Sequence, residues 1–199
     1  MGFDVTTIPC LSDNYAYLIQ GNGKVALVAA PEAAPIQAYL DRAGWTLDEI
    51  WFTHHHDDHI AGVDALRGQA VVRGALADAH RLPTLDVAHA DGDVFTFADS
   101  EVRVVDVSGH TNGHIAFYLA EAAAAFTADS LMALGCGRLF EGTPAQMWAS
   151  LSKLAALPGE TMVYSGHEYT AANARFAMTI EPENIALQQR QCGIEAARA

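Results

Sequence analysis

The chain has 199 residues, 51% of them hydrophobic, which is enough for one substantial core and at most a small appendage. Eleven Lys and Arg against 24 Asp and Glu give a formal charge of −13, with no basic stripe to neutralise phosphates, so nucleic acid and anionic membranes are poor partners. Three cysteines, Cys10, Cys136 and Cys192, contain no CxxC pair, and Met1-Gly2-Phe3-Asp4-Val5 lacks the basic start and apolar run of a signal peptide; neither a disulfide framework nor a membrane span is expected, and a cytoplasmic setting is.

The opening reads as short strands at Phe3–Ile8, Asn14–Gln20 and Lys24–Val28, rich in Val, Ile, Tyr and Leu and separated by polar or glycine turns. Ala34–Ala43 follows as a helix with Pro35 in its first turn and Ile36 and Leu40 on one face. Leu47–Phe52 returns to strand, a histidine-rich run sits at its end, and a short helix at Val63–Leu66 precedes a strand at Ala70–Arg73. Four strands come next, Val94–Phe97, Glu101–Val107, Ile115–Leu119 and Ala123–Thr127. Thr143-Pro144-Ala145-Gln146 is a capping box with proline at the first helical position. Thr161–Tyr164 reads as a buried strand, and Thr170–Ile180 and Glu183–Arg198 as helices broken at Glu181-Pro182. Two strand-rich halves, each followed by helices, predict two packed sheets covered outside by helices.

Of nine histidines, four fall within Thr53-His54-His55-His56-Asp57-Asp58-His59, an H-x-H-x-D-H pattern. Imidazole and carboxylate donors suit zinc, iron or manganese. In an extended segment His54 and His56 point the same way, and a turn after them lets Asp58 and His59 address a second point. A single ion with four protein ligands would be closed, so catalysis calls for donors spread over two ions. His110, Asp129 and His167 each follow a predicted strand and supply the remainder. Interleaved His55 and Asp57 read as solvated or supporting groups, His114 as a hydrogen-bonding orienter, His80 and His89 as surface residues, and Cys136 as a packing residue. A small anionic substrate would need local basic groups, for which Arg138 and Lys153 are candidates.

These residues match the ligand pattern of the metallo-β-lactamase superfamily. Asp13-Asn14-Tyr15, Gly135-Cys136-Gly137-Arg138, Phe140-Glu141-Gly142-Thr143 and Gly166-His167-Glu168-Tyr169-Thr170 narrow the resemblance to the glyoxalase II family, over almost the whole chain. The resemblance implies a four-layer αβ/βα sandwich, with His54, His56 and His110 on one metal, Asp58, His59 and His167 on the other, and Asp129 bridging; Asp58 and Asp129 are the catalytic carboxylates. It implies cleavage of an S-2-hydroxyacylglutathione thioester by water activated between two divalent ions, zinc above iron or manganese. A thiolate suits such a site, because a thiol of pKa near ~8.5 departs largely unprotonated. Glutathione contacts map to Arg138, Phe140 and Tyr169.

The resemblance also implies a catalytic domain over residues 1–169 and, over 170–199, the first helices of a C-terminal helical region that is cut short. Two substitutions depart from the family: Ala29 stands at or next to a usual aspartate that braces the metal loop, and Ala128 where glycine is common. Together with the shortened C-terminal region they predict weakened or redirected activity. The rival readings are a β-lactamase or lactonase on the same dimetal site, a mononuclear-iron persulfide dioxygenase, and a non-catalytic metal-binding module. A nuclease is least compatible with so acidic a chain. Asp129, where many zinc β-lactamases carry cysteine, argues against the first, and a complete second ligand set against the dioxygenase.

Overall fold

The computed structural model describes residues 2–198. The first half builds a six-stranded sheet from β1 (Asp4–Cys10), β2 (Asn14–Gly21), β3 (Lys24–Val28), β4 (Glu49–Trp51), β5 (Val71–Ala75) and β6 (Val87–His89), hydrogen-bonded in chain order. β1, β2 and β3 pair antiparallel through tight turns, whereas β3 to β6 run parallel. Parallel neighbours need a crossover, and α1 (Ala33–Ala43) supplies the one between β3 and β4. It ends at Gly44, whose left-handed backbone (φ 68°) is open to a residue without a β-carbon.

The second sheet contains β7 (Val94–Phe97), β8 (Ser100–Asp106), β9 (Ile115–Leu119), β10 (Ala124–Ala128) and β11 (Met162–Ser165), in the order β11-β10-β9-β8-β7. Only β10 and β11 pair parallel, and α4 (Pro144–Ala155) carries the chain between them. The capping box forms as predicted: Gln146 N–H donates to Thr143 Oγ1 and Thr143 N–H to the Gln146 side chain. Short helices α2 (Asp57–Ile60) and α3 (Val63–Leu66) follow β4, and α5 (Thr170–Ile180) and α6 (Ile185–Arg198) close the chain.

Strand alternation sorts the apolar side chains into layers. Tyr17, Ile19, Val28 and Trp51 from the first sheet meet Val104, Phe117, Leu119 and Phe126 from the second. Leu18, Leu27, Ile50 and Val72 face the other way, onto Ile36 and Leu40 of α1. Val105, Val107 and Ala116 back onto Leu154 of α4. Helix, sheet, sheet and helix therefore stack as the expected four-layer αβ/βα sandwich.

Several expectations need correction. β11 is an edge strand whose Met162 is 60% and Val163 38% exposed, so it is not the buried strand its composition predicts. β6 carried no recognisable strand signal, and its His89 is buried rather than on the surface: the ring stacks on Phe95 at 4.9 Å, over which the Arg73 guanidinium also lies. Arg73 is held by Glu49, which also accepts from Trp51 Nε1 at 2.7 Å, so this rim of the sheets is a paired polar cluster.

Candidate metal centre

β4, β8, β10 and β11 all end at the same edge of the sandwich, and β2 begins there. The loops leaving these ends carry the predicted ligands. His54 and His56 stay extended after β4, and the chain then turns into α2, which brings Asp58 and His59 round to a second point. His110 follows β8, Asp129 follows β10 and His167 follows β11.

The seven donors converge in three overlapping groups, His54 with His56 and His110, His54 with His59 and Asp129, and Asp58 with His59 and His167. Asp129 is central. Its carboxylate oxygens lie 3.4 Å from His59 Nε2, 3.3 Å from His110 Nε2 and 3.3 Å from His167 Nε2, and Asp58 Oδ2 lies 3.4 Å from His167 Nε2. A good imidazole–carboxylate hydrogen bond would be shorter. Donors bound to a common tetrahedral ion with bonds of ~2.0–2.1 Å sit about 3.4 Å apart, so the spacing is that of ligands round a cation. Buried His54 Nε2, both nitrogens of His59 and Asp129 Oδ1 have no hydrogen-bond partner, a costly arrangement unless an ion takes them.

Outer contacts aim the rings. His110 Nδ1–H donates to Arg138 O at 2.7 Å and His167 Nδ1–H to Asp13 Oδ1 at 2.8 Å, leaving each Nε2 for the centre. His54 Nδ1 meets Thr53 Oγ1 at 3.1 Å. Asn14 Nδ2 donates to both Asp58 O and Asp58 Oδ2 at 3.0 Å. Asp13 and Asn14 thus brace the second ligand set from the β1–β2 turn, a role the sequence did not disclose. Two glycines are obligatory: a β-carbon at Gly166 would collide with Asp129 Oδ1, and one at Gly137 with Asp129 O.

Electrostatics fit the same picture. Burial pushes His54, His56 and His110 down from the ordinary imidazole value, so they offer lone pairs at neutral pH. Burial alone would raise Asp129, but the His167 and His59 rings beside it overcome this and hold the carboxyl well below its usual range. At His167 burial is likewise outweighed, by Asp129 and Asp13, which carry it up to about 9.

The remaining predicted residues separate by where the fold places them. Arg138, Phe140 and Tyr169 line one cleft of about 500 Å³ with the ligands. Tyr169 stacks on His167 at 4.9 Å, and Phe140 packs edge-on against His56 and His110 at 5.6 and 5.3 Å. Lys153 does not join them: it pairs with Asp91 at 3.1 Å and Asp106 O at 2.9 Å. His55 is a supporting group bonded to Asp78 at 2.8 Å, while His114 Nδ1–H donates to Ile115 O at 3.2 Å, within its own segment, and its ring stacks flat on His54 at 4.5 Å. Cys136 is exposed, which removes the packing reading. Ala29 and Ala128 are buried and both take positive φ, 61° and 43°, a conformation costly for a β-carbon. Ala30 N–H, next to Ala29, donates to His59 O at 2.7 Å.

A larger groove of about 800 Å³ opens elsewhere, beside Trp45, Arg67 and Phe97. It contains none of the clustered donors, and its cations Lys24 and Arg67 are paired with Asp48 and Asp86, so the smaller cleft is where chemistry is possible.

Comparison with known proteins agrees. Residues 12–167 match the family model described as the metallo-β-lactamase superfamily. The chain is 64% identical over 203 residues to the hydroxyacylglutathione hydrolase of Ruegeria pomeroyi, covering 100% of this chain and 80% of the relative. Among solved structures, the BLEG-1 B3 metallo-β-lactamase superposes with a TM-score of 0.76 at 24% identity, covering 83% of this chain and 92% of that one. TTHA1623, in a di-iron-bound form, does so with a TM-score of 0.70 at 26% identity and the same coverages.

Proposed function

The chain belongs to the metallo-β-lactamase superfamily and, within it, to the hydroxyacylglutathione hydrolase family, and from that premise we propose that it cleaves the thioester of an S-2-hydroxyacylglutathione, such as S-lactoylglutathione, to a 2-hydroxy acid and glutathione. The observation that carries the reading is the placement of Asp129, whose carboxylate stands 3.3–3.4 Å from His59, His110 and His167 and so faces both ligand sets at once. His54, His56 and His110 would hold one ion, Asp58, His59 and His167 the other, and Asp129 would bridge them. We assign zinc to both positions, and the same imidazole and carboxylate donors accept iron or manganese. Two such ions supply, when bound, Lewis acidity and a nucleophilic water at neutral pH.

The chain's own residues do the rest. Asp58 and Asp129 offset the ions' charge and keep the ligand rings turned inward. Arg138, a cation among the residues lining the cleft, offers a carboxylate partner to the glutathione moiety, and its guanidinium lies 5.8 Å from the Phe140 ring. Phe140 and Tyr169 give that moiety apolar walls on either side of the donors. Phe140 contributes no hydroxyl, so on this wall recognition rests on its ring face. The departing thiolate needs no proton donor, which suits a cleft whose imidazoles are turned to the centre.

Within the same proposal, residues 1–169 form the catalytic domain, since every ligand lies there, and residues 170–199 form a helical region beginning directly after Tyr169. Three free cysteines favour a reducing, cytoplasmic setting. No helix among the described residues is long and apolar enough to cross a membrane. The test is elemental analysis with a panel of glutathione thioesters, lactams and lactones. Two ions per chain and preferential thioester hydrolysis are expected, with both lost in Asp129→Ala. One ion per chain, or turnover of lactams in preference to thioesters, would overturn the reading.

A further inference from the structure

Arg81 lies outside both ligand sets, just beyond a 3₁₀ turn at Leu76–Asp78, yet its guanidinium reaches three separate loops. Nε donates to Asp78 Oδ1 at 2.5 Å. Nη2 donates to Asn112 O at 2.9 Å and to Glu141 Oε2 at 3.2 Å, and Nη1 donates to Glu141 Oε1. Each partner is tied to the centre. Asp78, fully buried, also takes His55 Nδ1, the residue between ligands His54 and His56. Asn112 is two residues past His110, and its N–H donates to Glu141 Oε2 at 2.7 Å. Glu141 directly follows Phe140 in the loop that carries Arg138. The packing is tight: a β-carbon at Gly113 would sit 3.1 Å from that of Asp78.

We propose that Arg81 is a positioning residue that clamps the Arg138–Glu141 loop to the metal-ligand loops and thereby sets affinity for the glutathione part of the substrate. This deepens the thioesterase reading and rests on it. Asp78 and Glu141 are two carboxylates facing one region, and the Arg81 guanidinium supplies the positive charge between them; the His55 ring bridges the same pair, with Nδ1 2.8 Å from Asp78 Oδ2 and Nε2 3.8 Å from Glu141 Oε1. Without the guanidinium the carboxylates repel, and the loop loses a two-toothed anchor that a planar fork provides and an ammonium does not. The loop's backbone stays fixed, because Gly137 N–H donates to Asp129 O at 2.8 Å, Phe140 N–H to His110 O at 3.2 Å, Gly142 N–H to Gly109 O at 3.1 Å and His110 Nδ1–H to Arg138 O. The loss therefore falls on the side chains of Arg138 and Phe140, and not on the metal ligands.

The experiment uses the metal-loaded full chain, with steady-state hydrolysis of S-lactoylglutathione and calorimetric titration with glutathione. Arg81→Met is expected to raise KM and the glutathione Kd by about tenfold, a loss of about 1.4 kcal/mol of binding, with kcat within about threefold and two ions retained. Arg81→Lys keeps the charge without the fork and should recover only part of the affinity. If Arg81→Met does not fold, Glu141→Gln, which weakens the same anchor from the opposite side, should show the same KM-selective loss. An unchanged glutathione Kd, full recovery with lysine, or a parallel fall in kcat and ion content would each overturn the inference. Absence of thioester hydrolysis by the unmodified chain would instead sink the functional reading, and the Kd ratio would still decide the clamp; absence of glutathione binding would sink both.

Discussion

Replacing Asn14 by alanine separates the two ligand sets. Asn14 is 3% exposed, and its amide makes two bonds of 3.0 Å to one residue, Asp58, through the backbone carbonyl and through Oδ2. Bonds to a charged oxygen contribute roughly 1.5–3 kcal/mol and neutral ones about 0.5–1.5. Both bonds exist without the ion, so only part of this appears as metal affinity. Removing such an outer support typically weakens metal binding ~10–100-fold, or about 1.4–2.8 kcal/mol. Asp58 belongs to the set with His59 and His167, whereas in the other set His54 is oriented by Thr53 and His110 by Arg138. In a chelator-competition titration the weaker half should therefore shift by one to two orders of magnitude, while the other half moves by less than about threefold. The fold should survive, because the Asn14–His167 bridge and the Tyr15 N–H to Gly166 O bond are backbone contacts. Equal weakening of both halves, or no shift in either, would refute the assignment of Asp58 to one ion and of Asn14 as its brace.

Acid stability reports on the Arg81 clamp. The hydrogen bond from Arg81 holds Glu141 down from 4.5 to about 2. A depressed carboxyl contributes stability that is fully present above its unfolded pKa and is lost as pH falls through the folded one, so the window is pH 4.5 to about 2. The shift corresponds to at most about 3 kcal/mol, and solvent screening of this partly exposed side chain reduces it to about 1–2. Glu141→Gln should accordingly lower unfolding free energy at pH 7 by that amount and flatten its decline across the window, measured by urea titration. Identical acid profiles for the two proteins would contradict this. Phe117→Ala empties the space between the sheets, where the ring is fully buried 5.3 Å from Trp51. A loss of about 3–5 kcal/mol in urea unfolding is expected, and one below about 1 would mean that the inter-sheet core repacks.

Some of this was legible residue by residue. The capping box at Thr143, the helix over Thr170–Ile180 and the strands Lys24–Val28, Val94–Phe97 and Ile115–Leu119 follow from contacts within a few positions, where propensity and periodicity act. The H-x-H-x-D-H spacing likewise fixed which donors could serve a metal, because alternation along an extended segment is a local property. Other features depend on partners far along the chain. Asp13 meets His167 across 154 residues, Arg81 meets Glu141 across 60, and His89 is buried because Phe95 and Arg73 arrive beside it. β11 looked buried by composition, yet lies at the edge of its sheet with Met162 and Val163 exposed. Donor identity was thus written in the sequence, whereas the supports that aim those donors were decided by which loops the two sheets bring to a common edge. A hydrogen bond needs its partner within about 3 Å, and no spacing rule along the chain encodes that for residues joined only through the fold.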